Sequence, residues 1–206
     1  MVDEDKVRLM CDAGLGFATM GIQSGSERIR RECYERETSD DDIVKACEIL
    51  KRNGVGRNLD FIGDNPYETE EDRQATLDLL LRLPKPFYFN YFSLTYFPGV
   101  ERTTRALRDG HIKPEDVEHV AQKGYELWGG TLSPLRSIED LRWDVAYMMA
   151  VYRFPRWLVE ALVRRPVFRR HIHRAAEGMR HLRTIAHWKA RVAHRVTGQL
   201  IFPSPS

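Results

Sequence analysis

Three short stretches carry the side chains best suited to hold a polar ligand. In the first, the apolar run Ala18–Ile22 passes into Gln23-Ser24-Gly25-Ser26-Glu27. In the second, Asn58–Thr69 (NLDFIGDNPYET), Asp60 sits inside an apolar run, and Asp64, Asn65 and Glu68 follow in the turn. In the third, the aromatic run Phe87–Tyr96 ends at Phe97-Pro98-Gly99. A carboxylate inside an apolar strand needs a partner. For Asp60 that partner is either a neighbour such as Arg57 or Asn58, or a ligand. Gln23, Ser24 and Ser26 also suit the cap of a following helix. Asp and Asn are expected in a Pro-containing turn in any case, so both readings of these loops stand.

Metal-binding chemistry is poorly supported. Cys11, Cys33 and Cys47 are widely separated, and buried small thiols behave as hydrophobes. The histidines from His171 to His194 include a pair two residues apart, which points to different faces of a helix. The expectation is surface histidines and no metal site.

The elements that position these loops can be read from periodicity. Each of the three apolar runs is a strand, with boundaries expected at Leu15–Ile22, Val55–Ile62 and Phe87–Phe97. The segments between them are helical. Thr38-Ser39-Asp40-Asp41-Asp42 and Thr69-Glu70-Glu71-Asp72 both read as hydroxyl caps followed by first-turn carboxylates, where the helix dipole favours them. Ile43, Cys47 and Leu50 form one inner face; Ala75, Leu79, Leu80 and Leu83 form the next. A strand apolar on both sides, such as the third, suits a parallel sheet covered by helices. In a strand–loop–helix repeat the loops after the strands hold the chemistry. Right-handed crossovers bring Gln23, Ser24, Asp64, Asn65, Glu68 and Tyr96 to one rim. Three parallel strands leave edges and one sheet face uncovered, which calls for pairing with further material.

After about residue 112 the pattern becomes helical. Pro114 opens a helix reaching about Trp128, and Ser137 with Asp140 opens another carrying Leu141, Val145, Met148 and Tyr152. Pro155 opens a third carrying Trp157, Leu158, Ala161 and Leu162. Beyond Pro166, Phe168, Ile172, Ala175, Met179, Leu182 and Ala186 form the apolar stripe of a long amphipathic helix, and the terminal PSPS is expected to fray. The net charge of +2 over 206 residues hides an asymmetry. Acids outnumber bases before about Tyr152, and bases heavily outnumber acids from Arg153 to Arg195, which suggests an appended interaction segment. This basic helix either packs on the sheet with its arginines solvated, lies on an anionic membrane surface, or binds nucleic acid or an acidic partner. No apolar run approaches the roughly 20 residues of a membrane span. The acidic N-terminus lacks a signal-peptide pattern, and an odd cysteine count argues for a reducing cytoplasm.

The stretches GIQSGSERIRR…YERETS, LDFIGDNPYETEED and LPKPFYFNYFSLTYFPG resemble the second half of the radical S-adenosylmethionine (SAM) core, most closely that of proteins carrying a cobalamin-binding domain. The resemblance runs from about residue 5 to 112. It implies an α/β fold, a partial (β/α) barrel of about three parallel strands over residues 1–112. A helical extension over residues 113–206 then carries the basic amphipathic helix. The family uses a 4Fe–4S cluster and SAM to make a 5′-deoxyadenosyl radical; a cobalamin is possible in the parent protein. By position, the resemblance assigns SAM contacts to Gln23, Ser24, Arg36 and Asp60. Gln23 and Ser24 match residues near the ribose or amino-acid part, Arg36 a carboxylate partner, and Asp60 a residue near the ribose. Asp64 stands where a glycine is usual, and Val100 where a threonine is common. The family's CxxxCxxC loop has no counterpart here. The expectation is therefore a chain inactive alone, without catalytic residues of its own, that needs a missing N-terminal half-barrel or a second subunit. The alternative is a non-catalytic interaction module that uses the basic C-terminal helix.

Overall fold

A computed structural model describes residues 2–123 and 137–197. Helix α1 (Glu4–Asp12) leads into strand β1 (Phe17–Gln23), and helices α2 (Glu27–Tyr34) and α3 (Asp40–Arg52) cross over to β2 (Gly56–Gly63). Helix α4 (Glu70–Arg82) crosses to β3 (Tyr88–Ser93). The remainder is helical: α5 (Glu101–Arg108), α6 (Pro114–Lys123), α7 (Ile138–Val151), α8 (Arg156–Arg164), a 3₁₀ turn (Pro166–His171) and α9 (Ile172–Thr197). The reach of α6 to Trp128 and the PSPS terminus lie outside the described residues.

Local chemistry sets the helix starts. Ser39 and Thr69 each accept from the backbone of the third helical residue, while Asp42 and Asp72 reach back to the cap N–H. Both are capping boxes, so the runs of acids after Ser39 and Thr69 are signals of folding as well as of charge. Ser26 and Ser137 cap α2 and α7 in the simpler way. Helix α3 ends at Asn53, and Gly54 takes the left-handed φ of +71° that turns the chain toward β2.

The three strands form one parallel sheet in the order β1-β2-β3. Along β2, Arg57, Leu59, Phe61 and Gly63 are buried, and Asn58, Asp60 and Ile62 are half-buried. The buried face joins Ile43 and Cys47 of α3 and Leu77, Leu79 and Leu80 of α4 in one core. Among the described residues, helices thus cover one side of the sheet only. The opposite side carries exposed Thr19 and Gly21 of β1. The third strand departs from expectation here. It stops at Ser93 rather than Phe97, and all six of its residues are half-buried. Its aromatics serve an edge strand covered on one side, not a central strand between two helical layers.

The core continues into the C-terminal helices. Every residue from Leu141 to Ala150 of α7 is buried, and Tyr147 meets Tyr91 of β3 edge-on at 5.6 Å between ring centroids. Helix α9 presents Ile172, Ala176 and Met179 to this core, with α7 rather than the sheet as its principal neighbour. Two expected inner faces need correction. On α4, Thr76 and Leu77 are buried where Ala75 is only half-buried. On α8, Val159, Leu162 and Val163 face inward, an i, i+3, i+4 stripe that leaves Trp157 70% exposed. Among the described residues, no helix is long and apolar enough to cross a membrane.

Candidate functional site at the strand ends

The site is built on the uncovered sheet face, where β1 meets the loops that follow it. Gly21 of β1 pairs with Asp60 of β2, and Asp60 pairs with Asn90 of β3. Paired residues of a parallel ladder share a face, so these three positions form a row across the sheet. At the β1 end of the row, Gln23 adopts a left-handed φ of +73° after a register shift. Its side chain folds back over Gly21. A Cβ at Gly21 would lie 2.5 Å from Gln23 Nε2 and 4.0 Å from the Arg36 guanidinium. At β2, Asn58 and Asn90 both donate to Asp60 Oδ1, at 2.9 and 3.0 Å. With strands about 4.8 Å apart, the row spans the length of a nucleoside. It offers a guanidinium and an amide at one end and a carboxylate beyond it.

Of the four expected contact residues, Gln23 and Arg36 therefore meet over Gly21, and Asp60 stands beside it in register. The fourth, Ser24, is placed differently. It is buried; its hydroxyl donates to Glu68 at 3.2 Å and accepts from the Ser26 N–H at 3.2 Å. Its hydroxyl is thus engaged within the protein. Arg57, considered a partner for Asp60, points to the opposite side of the sheet. There it donates to the carbonyls of Cys47 and Pro86, both at 2.6 Å. Asn58 is the partner that the strand supplies.

Buried Arg30 organises this end of the sheet and was not singled out in the sequence. It donates to Ser24 O (2.8 Å), Thr38 O (3.0 Å) and Asp40 Oδ1 (2.6 Å). These bonds pin the segment between α2 and α3 that carries the exposed Arg36. The signal was an arginine directly beside Ile29, on the inward side of a short capped helix. A groove of about 610 Å³ opens here, lined by Gly21, Ile22, Arg30, Arg36 and Thr38 among others.

The loop after β2 forms the rest of the rim. Asp64 has a left-handed φ of +58° and accepts from Ser93 Oγ. Asn65 is buried, contacts Tyr34 Oη at 3.5 Å and accepts from the Tyr67 N–H at 3.1 Å. Burial pushes the Glu68 carboxyl up to about 7, against the pull of Ser24 and Arg73; Asp72 and Asp64 add to the rise. Asp72 shows the opposite balance. Burial pushes it upward, but Arg28, Ser26 and Thr69 together outweigh that and hold it at about 2. Burial likewise pushes the Tyr96 phenol to about 12. Of the residues expected on one rim, Ser24 meets Glu68 directly, Asp64 and Asn65 stand in the same loop as Glu68, and Gln23 lies instead over Gly21.

The residues present suit SAM and do not suit its iron–sulfur partner. An arginine for a carboxylate and an aspartate for ribose hydroxyls stand on one face. The cysteines, as expected, lie on separate helices: Cys11 on α1, Cys33 on α2 and Cys47 on α3. Burial pushes the Cys47 thiol up to about 11, and Cys11 Sγ lies 3.9 Å from Asn53 O. Among the described residues, no group of three His, Cys, Asp or Glu side chains is placed to hold a metal ion.

Comparison with known proteins bears on the N-terminal part of the chain. Residues 1–80 match the family model of the Radical SAM superfamily. Anaerobic coproporphyrinogen III oxidase 1 of Cereibacter sphaeroides is 29% identical over 120 residues, covering 57% of this chain and 26% of that protein. A tRNA-2-methylthio-N(6)-dimethylallyladenosine synthase of Roseobacter denitrificans is 30% identical over 115 residues, covering 53% of this chain and 25% of that protein. The same enzyme of Zymomonas mobilis is 33% identical over 105 residues, covering 50% and 23%. The chain spans about a quarter of the length of these relatives. The match over residues 1–80 and these relatives show the N-terminal part of the chain to be similar to Radical SAM superfamily proteins.

Proposed function

We propose that residues 1–112 form the later part of a radical SAM barrel and bind SAM across the row Gln23–Arg36, Gly21, Asp60. Arg36 pairs with the methionyl carboxylate, and Asp60 accepts from ribose hydroxyls. Gln23 closes over the ligand from the β1 end, and Ser24 holds the loop through Glu68 and Arg30. The observation that carries this reading is the convergence of Gln23 Nε2 and the Arg36 guanidinium over Gly21, with Asp60 in register beside it. The Gln23 side chain fills the space that a side chain at Gly21 would take, and on this reading it moves aside when the ligand enters. The 4Fe–4S cluster supplies the electron that cleaves SAM in this superfamily, and this chain's cysteines are not arranged to hold it. On this reading the cluster ligands come from further β/α units, from a second subunit or joined sequence, that pair with the outer edge of β1. Among the described residues no strand occupies that edge. The cobalamin module implied by the resemblance belongs to the same supplied part. Residues 113–206 are then a helical extension.

Saturation-transfer NMR tests the SAM contact, since binding by the isolated half-site is weak, on the order of millimolar. The wild-type chain is expected to saturate the ribose protons of SAM, and Arg36→Ala or Asp60→Asn to lose most of that signal while keeping the wild-type unfolding curve. No transfer in the wild type, or undiminished transfer in both variants, would remove this site. A second reading, a non-catalytic interaction module, is favoured by one observation: the exposed arginines at 164, 165, 169 and 170. A chain that binds an anionic partner and never binds SAM would select it.

A further inference from the structure

The corner between α8 and α9 concentrates unneutralised positive charge. Arg164, Arg165, Arg169 and Arg170 are all exposed within one turn-and-a-half of chain, at the end of α8 and along the 3₁₀ turn. The acids nearby are few and mostly engaged. Glu160 pairs with Arg156 at 2.7 Å, and Glu139 pairs with Arg142 and Arg169 at 2.8 and 3.0 Å. Exposed Glu177 is the one other carboxylate between Arg153 and Ile185. Arg165, Arg170 and Arg174 make no ion pair among the described residues.

Two large apolar side chains stand among these charges. Val167, in the middle of the arginine cluster, is 65% exposed. Trp157 is 70% exposed and lies seven residues before Arg164, on the same stripe of α8. The core takes Val159, Leu162 and Val163 from α8 and leaves Trp157 outside, as the 3₁₀ turn leaves Val167. Arginine with exposed valine and tryptophan matches a surface that is anionic at the top and apolar just beneath. Phosphates take the guanidiniums, and tryptophan suits the boundary between headgroups and acyl chains. A nucleic-acid backbone would satisfy the arginines but give Val167 no apolar environment to enter.

We propose that the α8–3₁₀ corner docks this protein on an anionic lipid bilayer, with the arginines on lipid phosphates and Trp157 and Val167 at the acyl boundary. The contact is peripheral. It places the helical layer against the membrane and is independent of the SAM site.

The test is co-sedimentation of the purified chain with vesicles of phosphatidylcholine containing about one third phosphatidylserine. Binding is expected to those vesicles and not to pure phosphatidylcholine, and to weaken as salt is raised. Replacing Arg164, Arg165, Arg169 and Arg170 together with Gln is expected to lower the partition coefficient by roughly tenfold or more, since each basic residue near such a surface contributes severalfold. Because Arg169 also pairs with Glu139, the double variant Arg165→Glu with Arg170→Glu repeats the test without touching an ion pair. Trp157→Ser should weaken binding without changing its salt dependence. Equal binding to neutral vesicles, vesicle binding indifferent to the arginine variants, or binding to tRNA with none to vesicles would each overturn the proposal.

Discussion

Glu68 shows how a residue's surroundings decide its chemistry. Its type and its place in a turn gave no reason to single it out from Asp64 or Asn65. Its half-buried position beneath the rim, with Ser24 as its hydrogen-bond partner, raises its carboxyl from 4.5 to about 7. The folded protein therefore holds a proton that the unfolded chain has already released. The stability tied to that proton is complete below about pH 4.5 and is lost as pH rises through 7. Glu68→Gln should abolish that loss and make the variant more stable than the wild type at pH 8, by about 1–3 kcal/mol. Urea unfolding at pH 5 and pH 8 measures it. An identical pH dependence in the two proteins would mean that the carboxyl is hydrated in the fold. Arg30 and Arg57 carry a related lesson. Both are arginines whose charge alone would leave them on a surface, yet both are buried and donate to backbone carbonyls. Charge alone does not place a long side chain whose donors can reach carbonyls at strand ends and helix termini.

Elements were more legible than their contacts. Helix starts at Ser39, Thr69 and Ser137 follow from cap chemistry within four residues, and they stand where that chemistry places them. The end of β3 was not legible. An aromatic run continues past Ser93, but β2 ends at Gly63, the partner of Ser93, and pairing between strands is set by tertiary structure. The close seat of the β1–α2 loop on α4 was also hidden, although Gly25 marks it. The Gly25 N–H donates to Thr76 Oγ1 at 3.0 Å, and a Cβ there would lie 2.2 Å from Thr76 Cα. That neighbour is helix backbone, which cannot rotate away. Gly25→Ala should force the loop off α4, breaking the bond to Thr76 and disturbing Ser24 and Ser26 on either side. The expected cost is about 2–4 kcal/mol, read as a shift in denaturant midpoint at constant m-value. A midpoint within experimental error of the wild type would show that the loop and helix are less tightly apposed.

At the scale of the whole molecule, a one-sided α/β sheet must find cover for its second face, and this one presents a carboxylate held by two amides there rather than an apolar surface. That polar face is a poor packing surface for further helices. The order of strands and helices was readable because each strand–helix repeat is short and separately capped. The meeting of Gln23 and Arg36 over Gly21, with Asp60 beside it, was not readable from spacing, because it depends on sheet register; Gln23 and Asp60 stood out by residue type, and only the resemblance pointed to Arg36. The same topology sets the limit on metal chemistry. Cys11, Cys33 and Cys47 belong to three helices, and the buried Cys47 thiol, raised to about 11, is reluctant to become the thiolate that iron requires. Bringing them onto one cube would require unpacking α3 from β2. Anaerobic reconstitution of the purified chain with iron and sulfide should therefore give no stoichiometric cluster and no charge-transfer absorbance near ~400 nm. Reconstitution together with a β/α partner that carries a CxxxCxxC loop should give both, with the iron bound to the partner's cysteines. If Cys11→Ser, Cys33→Ser and Cys47→Ser replaced together leave that spectrum intact, the barrel is completed from outside, as the open edge of β1 suggests. A full 4Fe–4S spectrum from the chain alone would mean that α1, α2 and α3 rearrange to converge, and that the polar face lines something other than a shared barrel.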